Sequence, residues 1–329
     1  MAEQLQFDSS VIPLGRVDAA AGQINVKMLT LAREAKGFSQ KELASRINCN
    51  QSRLSKIESG ELLAQEMEIQ GFIKELDLSR DFFFQRDDTI PASVSFYRKT
   101  RTFPLKVLRQ CNAQMNVRRL QIERQIGAKK LGKRDLPYMP PERYGGAKAV
   151  AKKLRQEWSL KPGAVQHLVK LIEDAGCVVV DYSFPSLKLD GLSIRAPKKT
   201  PIIFLNKDLP KSRQRYSLAH ELGHLVMHTN PHERVEEEAW DFAGEFMMPA
   251  AQIQKQLNNL NLDKLGQLKN EWGLSMQAIL HRAKKLGEIS ESGYRFLCIQ
   301  IGKYGFRVNE PFEDAIPIEK PTELEKRLM

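Results

Sequence analysis

Residues 215–224 read RYSLAHELGH, and the pentad His220-Glu221-Leu222-Gly223-His224 inside that stretch decides how the larger part of the chain is read. Leu218, Leu222 and Leu225 recur at helical spacing, which predicts a helix from about Ser212 onward. Residues four apart on a helix lie one above the other on the same face, so His220 and His224 present two imidazoles about one turn apart. That separation suits two nitrogen ligands of a tetrahedral zinc ion, held at about 2.0–2.1 Å each. Glu221, rotated from that line by about 100°, is placed to reach an open coordination position and to act as general base on water.

A catalytic zinc takes a third protein ligand, and the spacing predicts that it comes from another element. Downstream the chain offers His228, His232 and the carboxylates of EEEAWDFAGEFMMP, which begins at Glu236. His228 extends the histidine face by another turn, but three successive turns of a straight helix cannot all meet one metal. Glu236, Ala239 and Ala243 share one face of a predicted following helix, which suits a ligand arriving from across the site. Glu237 is the neighbouring alternative.

Working outward, the chain from Ala147 predicts two helices and then three apolar runs, Cys177 to Tyr182, Leu192 to Ala196 and Pro201 to Leu205. Their Val, Ile and Phe content, with the breakers Asp190-Gly191 and Pro197 between them, predicts a small antiparallel sheet. Beyond Pro249 the pattern predicts helices near 252–260, 262–272 and 275–286. A hairpin of Phe296 to Ile301 and Tyr304 to Val308 is expected next, and then a loosely ordered tail.

Toward the N-terminus the apolar residues Ile24, Met28, Leu31 and Ala35 predict a helix closed by Gly37. Ser39 followed by Glu42 is a capping box that starts a second helix. Asn48 occupies a tight-turn position that needs a positive φ, and Gln51 to Ile57 forms a third helix. Further along, SVSFYRKTRTF reads as a short extended piece. A helix is expected from Leu105 to about Leu131, ending at Gly132, and three uses compete for it: packing on the preceding module, formation of a homodimer, and phosphate contact.

The 329 residues carry a net charge of +11, and its distribution is informative. Residues 1–90 hold 11 Lys and Arg against 14 Asp and Glu, residues 164–329 hold 22 against 22, and residues 91–163 hold 18 against 4. A basic block of this density favours a polyanionic partner. No stretch approaches the roughly 18–20 consecutive apolar residues of a membrane span, and the first residues lack the apolar core of a signal peptide. Cys49, Cys111, Cys177 and Cys298 are widely separated, which argues against a disulfide framework. A cytoplasmic protein with no membrane partner is expected.

The segments RYSLAHELGH at 215–224 and EEEAWDFAGEFMMP at 236–249 resemble the paired motifs of the ImmA/IrrE family of zinc metallopeptidases. The resemblance implies an α+β zincin-like domain, a Zn²⁺ cofactor, His220, His224 and Glu236 as metal ligands, and Glu221 as catalytic base. It also implies a protein substrate, a repressor-type transcription factor. Trp240 stands where that family usually has Asn. Separately, GFSQKELASRINCNQSRLSKIESGE at 37–61 resembles the helix-turn-helix of the XRE, or lambda-repressor-like, family. Carried onto this chain, that resemblance implies double-stranded DNA as partner. Gln40, Gln51, Ser52 and Arg53 would reach base edges or phosphates, with Ser55 and Lys56 near the backbone.

The expected organisation is therefore multidomain: an all-α helix-turn-helix bundle followed by an α+β zincin-like metallopeptidase domain. The segments are an extension over 1–22, the DNA-binding domain over 23–90, a basic helical connector over 91–145, the peptidase domain over 146–308 and a tail over 309–329. The expected function is a regulatory endopeptidase coupled to DNA binding. The competing readings are a transcriptional regulator whose zinc domain senses a metal, ligand or partner without turnover, and an antitoxin-like partner protein.

Overall fold

The computed structural model describes residues 23–86, 105–127, 131–184, 189–196, 199–230 and 232–322. The extended piece expected at SVSFYRKTRTF lies outside them. Contacts divide the chain into two units. The first contains the described residues up to Arg86 together with the helix that begins at Leu105, and the second contains those from Leu131 onward.

In the first unit, helices α1 (Val26–Ala35), α2 (Gln40–Arg46), α3 (Gln51–Glu58), α4 (Glu66–Leu76) and α5 (Arg80–Phe84) precede the long α6 (Leu105–Ile126). The capping box is present: Ser39 Oγ accepts from the Glu42 amide at 3.2 Å, and the Glu42 carboxylate accepts from the Ser39 amide at 2.7 Å. Asn48 adopts φ 54°, as the turn between α2 and α3 requires. Met28, Leu29, Leu43, Leu54, Ile57, Phe72, Phe82 and Phe83 are buried in a common core that Ala113, Val117 and Leu120 of α6 complete. The predicted end of α6 is corrected: the helix stops at Ile126, where Gly127 takes φ 58°, an ending that glycine accepts without a Cβ clash.

The second unit is a mixed α+β domain. Helices α7 (Pro141–Tyr144), α8 (Ala147–Glu157) and α9 (Leu168–Asp174) lead into strands β1 (Val178–Tyr182), β2 (Gly191–Ile194) and β3 (Ile202–Asn206). The sheet order is β1-β3-β2, with β3 parallel to β1 and antiparallel to β2. The expected antiparallel sheet is thus a mixed one. The chain does reverse between successive strands, but β3 inserts between the other two. Its apolar run Ile202 to Leu205 suits a strand buried on both faces.

Helix α10 (Lys211–Met227) follows the sheet, and α11 (Val235–Met247) packs along it. A short helix α12 (Ala250–Ile253), one 3₁₀ turn, α13 (Leu262–Trp272), α14 (Met276–Lys285) and α15 (Glu291–Lys303) complete the domain. The last of these corrects the predicted hairpin. Ser290 caps the helix by accepting from the Gly293 amide at 3.1 Å, and Leu297 and Ile301, four residues apart, are both buried. The β-prone composition yields to that cap and packing.

The tail from 309 is also corrected, because its described part is docked rather than loose. Glu310 and Glu313 both engage the fully buried Lys269, Ile316 is buried, and Glu319 accepts from the Val169 amide. A buried ammonium without carboxylate partners would be strongly destabilised. Among the described residues no helix is long and apolar enough to cross a membrane.

Candidate metal centre and nucleic-acid interface

Two glycines let the elements of the second unit converge. A Cβ on Gly223 would lie 2.9 Å from Phe242 Cδ1, so this glycine sets how closely α10 and α11 approach. A Cβ on Gly191 would lie 3.0 Å from the Phe204 carbonyl oxygen and 3.2 Å from Glu221 Cγ. Strand β2 can therefore lie directly against the helix that carries the pentad.

His220 and His224 are both buried, with Nε2 atoms 3.1 Å apart. Helix α11 brings Glu236 to them: one carboxylate oxygen is 3.2 Å from His224 Nε2 and the other 3.7 Å from His220 Nε2. Three ligand atoms at about 2.1 Å from a tetrahedral zinc are about 3.4 Å from one another, and the two imidazoles and the carboxylate, offering one ligand atom each within 4.8 Å of one another, are a donor set that could hold such an ion. Glu237 is half-exposed and points to Arg234, 3.6 Å away. His228 caps the end of α10 in an extended conformation, and its Nδ1 lies 3.1 Å from His224 Nδ1. Of the candidates for a third ligand, only Glu236 joins the pair.

Glu221 is buried beside this triad, and Ser193 of β2 donates to its Oε2 at 2.8 Å. The hydroxyl donor holds the carboxylate in one rotamer. Ser193 was not anticipated, because nothing in its spacing within the sequence connects it with Glu221. Trp240 of α11 packs its ring over His220, with centroids 3.9 Å apart, and also stacks with Tyr216 of α10 at 5.4 Å. The aromatic residue thus covers the His220 imidazole and restricts its ring orientation. Burial beside this stack pushes the Tyr216 hydroxyl up to about 12.

His228, His232 and Glu238 form a second gathering of possible ligand atoms, all within 4.8 Å of one another. Burial, followed by the neighbouring His224 and His232, pulls His228 down to about 3, so its imidazole is neutral near pH 7.

In the first unit, the side chains named for DNA contact start from α2 and α3. Gln51, Ser52 and Lys56 are exposed, and Ser55 is half-buried. Gln40 donates to Glu58 at 2.8 Å, and Gln51 donates to Gln40 at 3.0 Å, so the two amides are pre-set as a pair at the start of the two helices. Arg53 forms a bidentate pair with Glu68 of α4, at 2.5 and 2.9 Å. Its guanidinium is thereby engaged in locking α3 to α4, a role the linear spacing does not suggest.

Residues 172–284 match the family model of the IrrE N-terminal-like domain, a peptidase family, and residues 29–83 match the helix-turn-helix family model. No curated protein and no solved structure matches the chain.

Proposed function

From a chain that joins a helix-turn-helix domain to an IrrE N-terminal-like peptidase domain, we propose a DNA-binding regulator that acts as a zinc-dependent endopeptidase. The observation that carries this reading is the triad of His220, His224 and Glu236, with atoms 3.1–3.7 Å apart, flanked by a Glu221 that Ser193 orients. In this reading His220 Nε2, His224 Nε2 and the Glu236 carboxylate hold the ion. Zinc held there supplies Lewis acidity toward water and toward the scissile carbonyl.

The remaining chemistry belongs to the chain's own groups. The Glu221 oxygen not bonded to Ser193 takes the proton of the attacking water and returns it to the departing amine. Ser193 keeps that carboxylate in one orientation through the cycle, and Trp240 holds the His220 ring in place. Gln51, paired with Gln40, is positioned to read a base edge in the major groove, with Ser52 and Lys56 beside it on the exposed face of α3. Arg53 contributes chiefly by fixing α3.

The proposed substrate is a repressor-type transcription factor. This is supported by the resemblance of the two motifs to regulatory peptidases, and by the attached DNA-binding module, which would concentrate the site near promoter-bound proteins. The protein would act in the cytoplasm. The test is incubation of the zinc-loaded chain and of Glu221→Gln with repressor proteins encoded beside its gene. Cleavage by the native chain alone supports the proposal. Regulation that persists in Glu221→Gln with no cleavage by either chain overturns it in favour of a non-catalytic sensor.

A further inference from the structure

We propose that His228, His232 and Glu238 form a second zinc site, outside the catalytic triad and more open to solvent. Glu238 Oε2 lies 3.1 Å from His228 Nε2 and 3.5 Å from His232 Nε2, and the three ligand atoms fall within 4.8 Å of one another. The two nitrogen–oxygen separations are close to the edge of about 3.4 Å expected for tetrahedral zinc ligation. Two imidazoles and one carboxylate are also a donor set that zinc prefers over magnesium or calcium.

The arrangement explains why the two sites are distinct although they share one helix. His224 and His228 face each other through their Nδ1 atoms, 3.1 Å apart, so their Nε2 atoms point away from each other; with His224 Nδ1–H donating to His228 Nδ1, the His228 proton lies on Nε2 toward Glu238, and an ion bound in the outer site would take that proton's place. His224 Nε2 belongs to the inner triad and His228 Nε2 to the outer one. His228 can do this because it sits just past α10 with extended backbone angles, φ −117° and ψ 130°. On a continuing helix it would only have repeated the inner face.

The outer ligands come from a short stretch, with His228 at the end of α10, His232 in the following turn and Glu238 in the first turn of α11. Gathering ligands so close in sequence costs little loop-closure entropy. An ion bound there would tie the end of α10 to the start of α11, the two helices that supply the inner triad. His228 is 8% exposed, Glu238 16% and His232 46%. A half-exposed ligand gives the outer site readier exchange than the buried inner one, which suits an ion that comes and goes with zinc supply.

The test does not depend on peptidase activity. The metal-free full chain is titrated with Zn²⁺ against a chromophoric chelator, in parallel with His232→Ala, Glu238→Gln and His220→Ala, each checked for folding by its thermal midpoint. His232 is exposed and Glu238→Gln is isosteric, so both variants are expected to fold. The expected result is two zinc ions per native chain, one tight and one weaker. His232→Ala and Glu238→Gln should weaken only the second, by tenfold or more, and His220→Ala only the first. A native chain that binds one ion, with His232→Ala and Glu238→Gln unchanged from it, overturns the outer site and leaves the inner one standing. Two ions retained by both outer variants also overturn it. One ion that His220→Ala keeps and the outer variants lose would support the outer site and remove the basis of the proposed peptidase centre.

Discussion

Ser193 on strand β2 and Glu221 on helix α10 are joined by a 2.8 Å hydrogen bond within the buried interior of the second unit. The strand thereby sets the rotamer of the residue proposed as base. Ser193→Ala should keep its full zinc content and lose about tenfold in turnover. Glu221→Gln should lose the larger factor of roughly 10²–10⁴ associated with general-base catalysis. Zinc analysis beside a cleavage assay checks both, and loss of zinc from Ser193→Ala would show that the serine supports the ligands instead.

Gly223 should be intolerant of a side chain. Its added Cβ would lie 2.9 Å from Phe242 Cδ1, forcing α10 and α11 apart at a cost of about 1–3 kcal/mol. Because Glu236 reaches the histidines from α11, Gly223→Ala should weaken zinc binding as well as lower the thermal midpoint. Adding Phe242→Leu should restore part of both.

The DNA-binding module separates reading from scaffolding. Gln51→Ala should reduce the affinity for a duplex obtained by selection from random sequences by about 1–3 kcal/mol, with no change in thermal stability. Arg53→Ala should instead lower stability, because it leaves the largely buried Glu68 without its bidentate partner. Denaturation and gel-shift titrations on the two variants distinguish the roles.

Acid should destabilise the metal-free chain through His228. Its folded imidazole titrates at about 3, far below the ordinary 6.5, so below pH 6.5 the unfolded chain takes up a proton that the folded one refuses. The associated stability is present above that pH and is lost as pH falls toward 3, with a limiting slope of about 1.4 kcal/mol per pH unit. His228→Gln should flatten the dependence of the urea midpoint on pH over that window, measured with a chelator present.

Local chemistry was readable in the sequence. The capping box of Ser39 and Glu42, the positive φ of Asn48 and the single helical face of His220 and His224 all depend on residues at most four apart. So does the separation of a helical module from a mixed α+β domain, because hydrophobic periodicity is itself short-ranged. Where local preferences conflict, packing decided: Leu297 and Ile301 became helical despite β-prone neighbours.

What only the tertiary structure decided is which distant groups meet. The insertion of β3 between β1 and β2, the docking of Glu310 and Glu313 on Lys269, and the pairing of Ser193 with Glu221 link residues 28 to 44 positions apart or strands whose order has no sequence signature. The choice of Glu236 over Glu237 for the triad is of the same kind. Adjacent helical residues point about 100° apart, so the rotation of α11 against α10, governed by the close contact of Gly223 with Phe242, selects the carboxylate that faces His220 and His224.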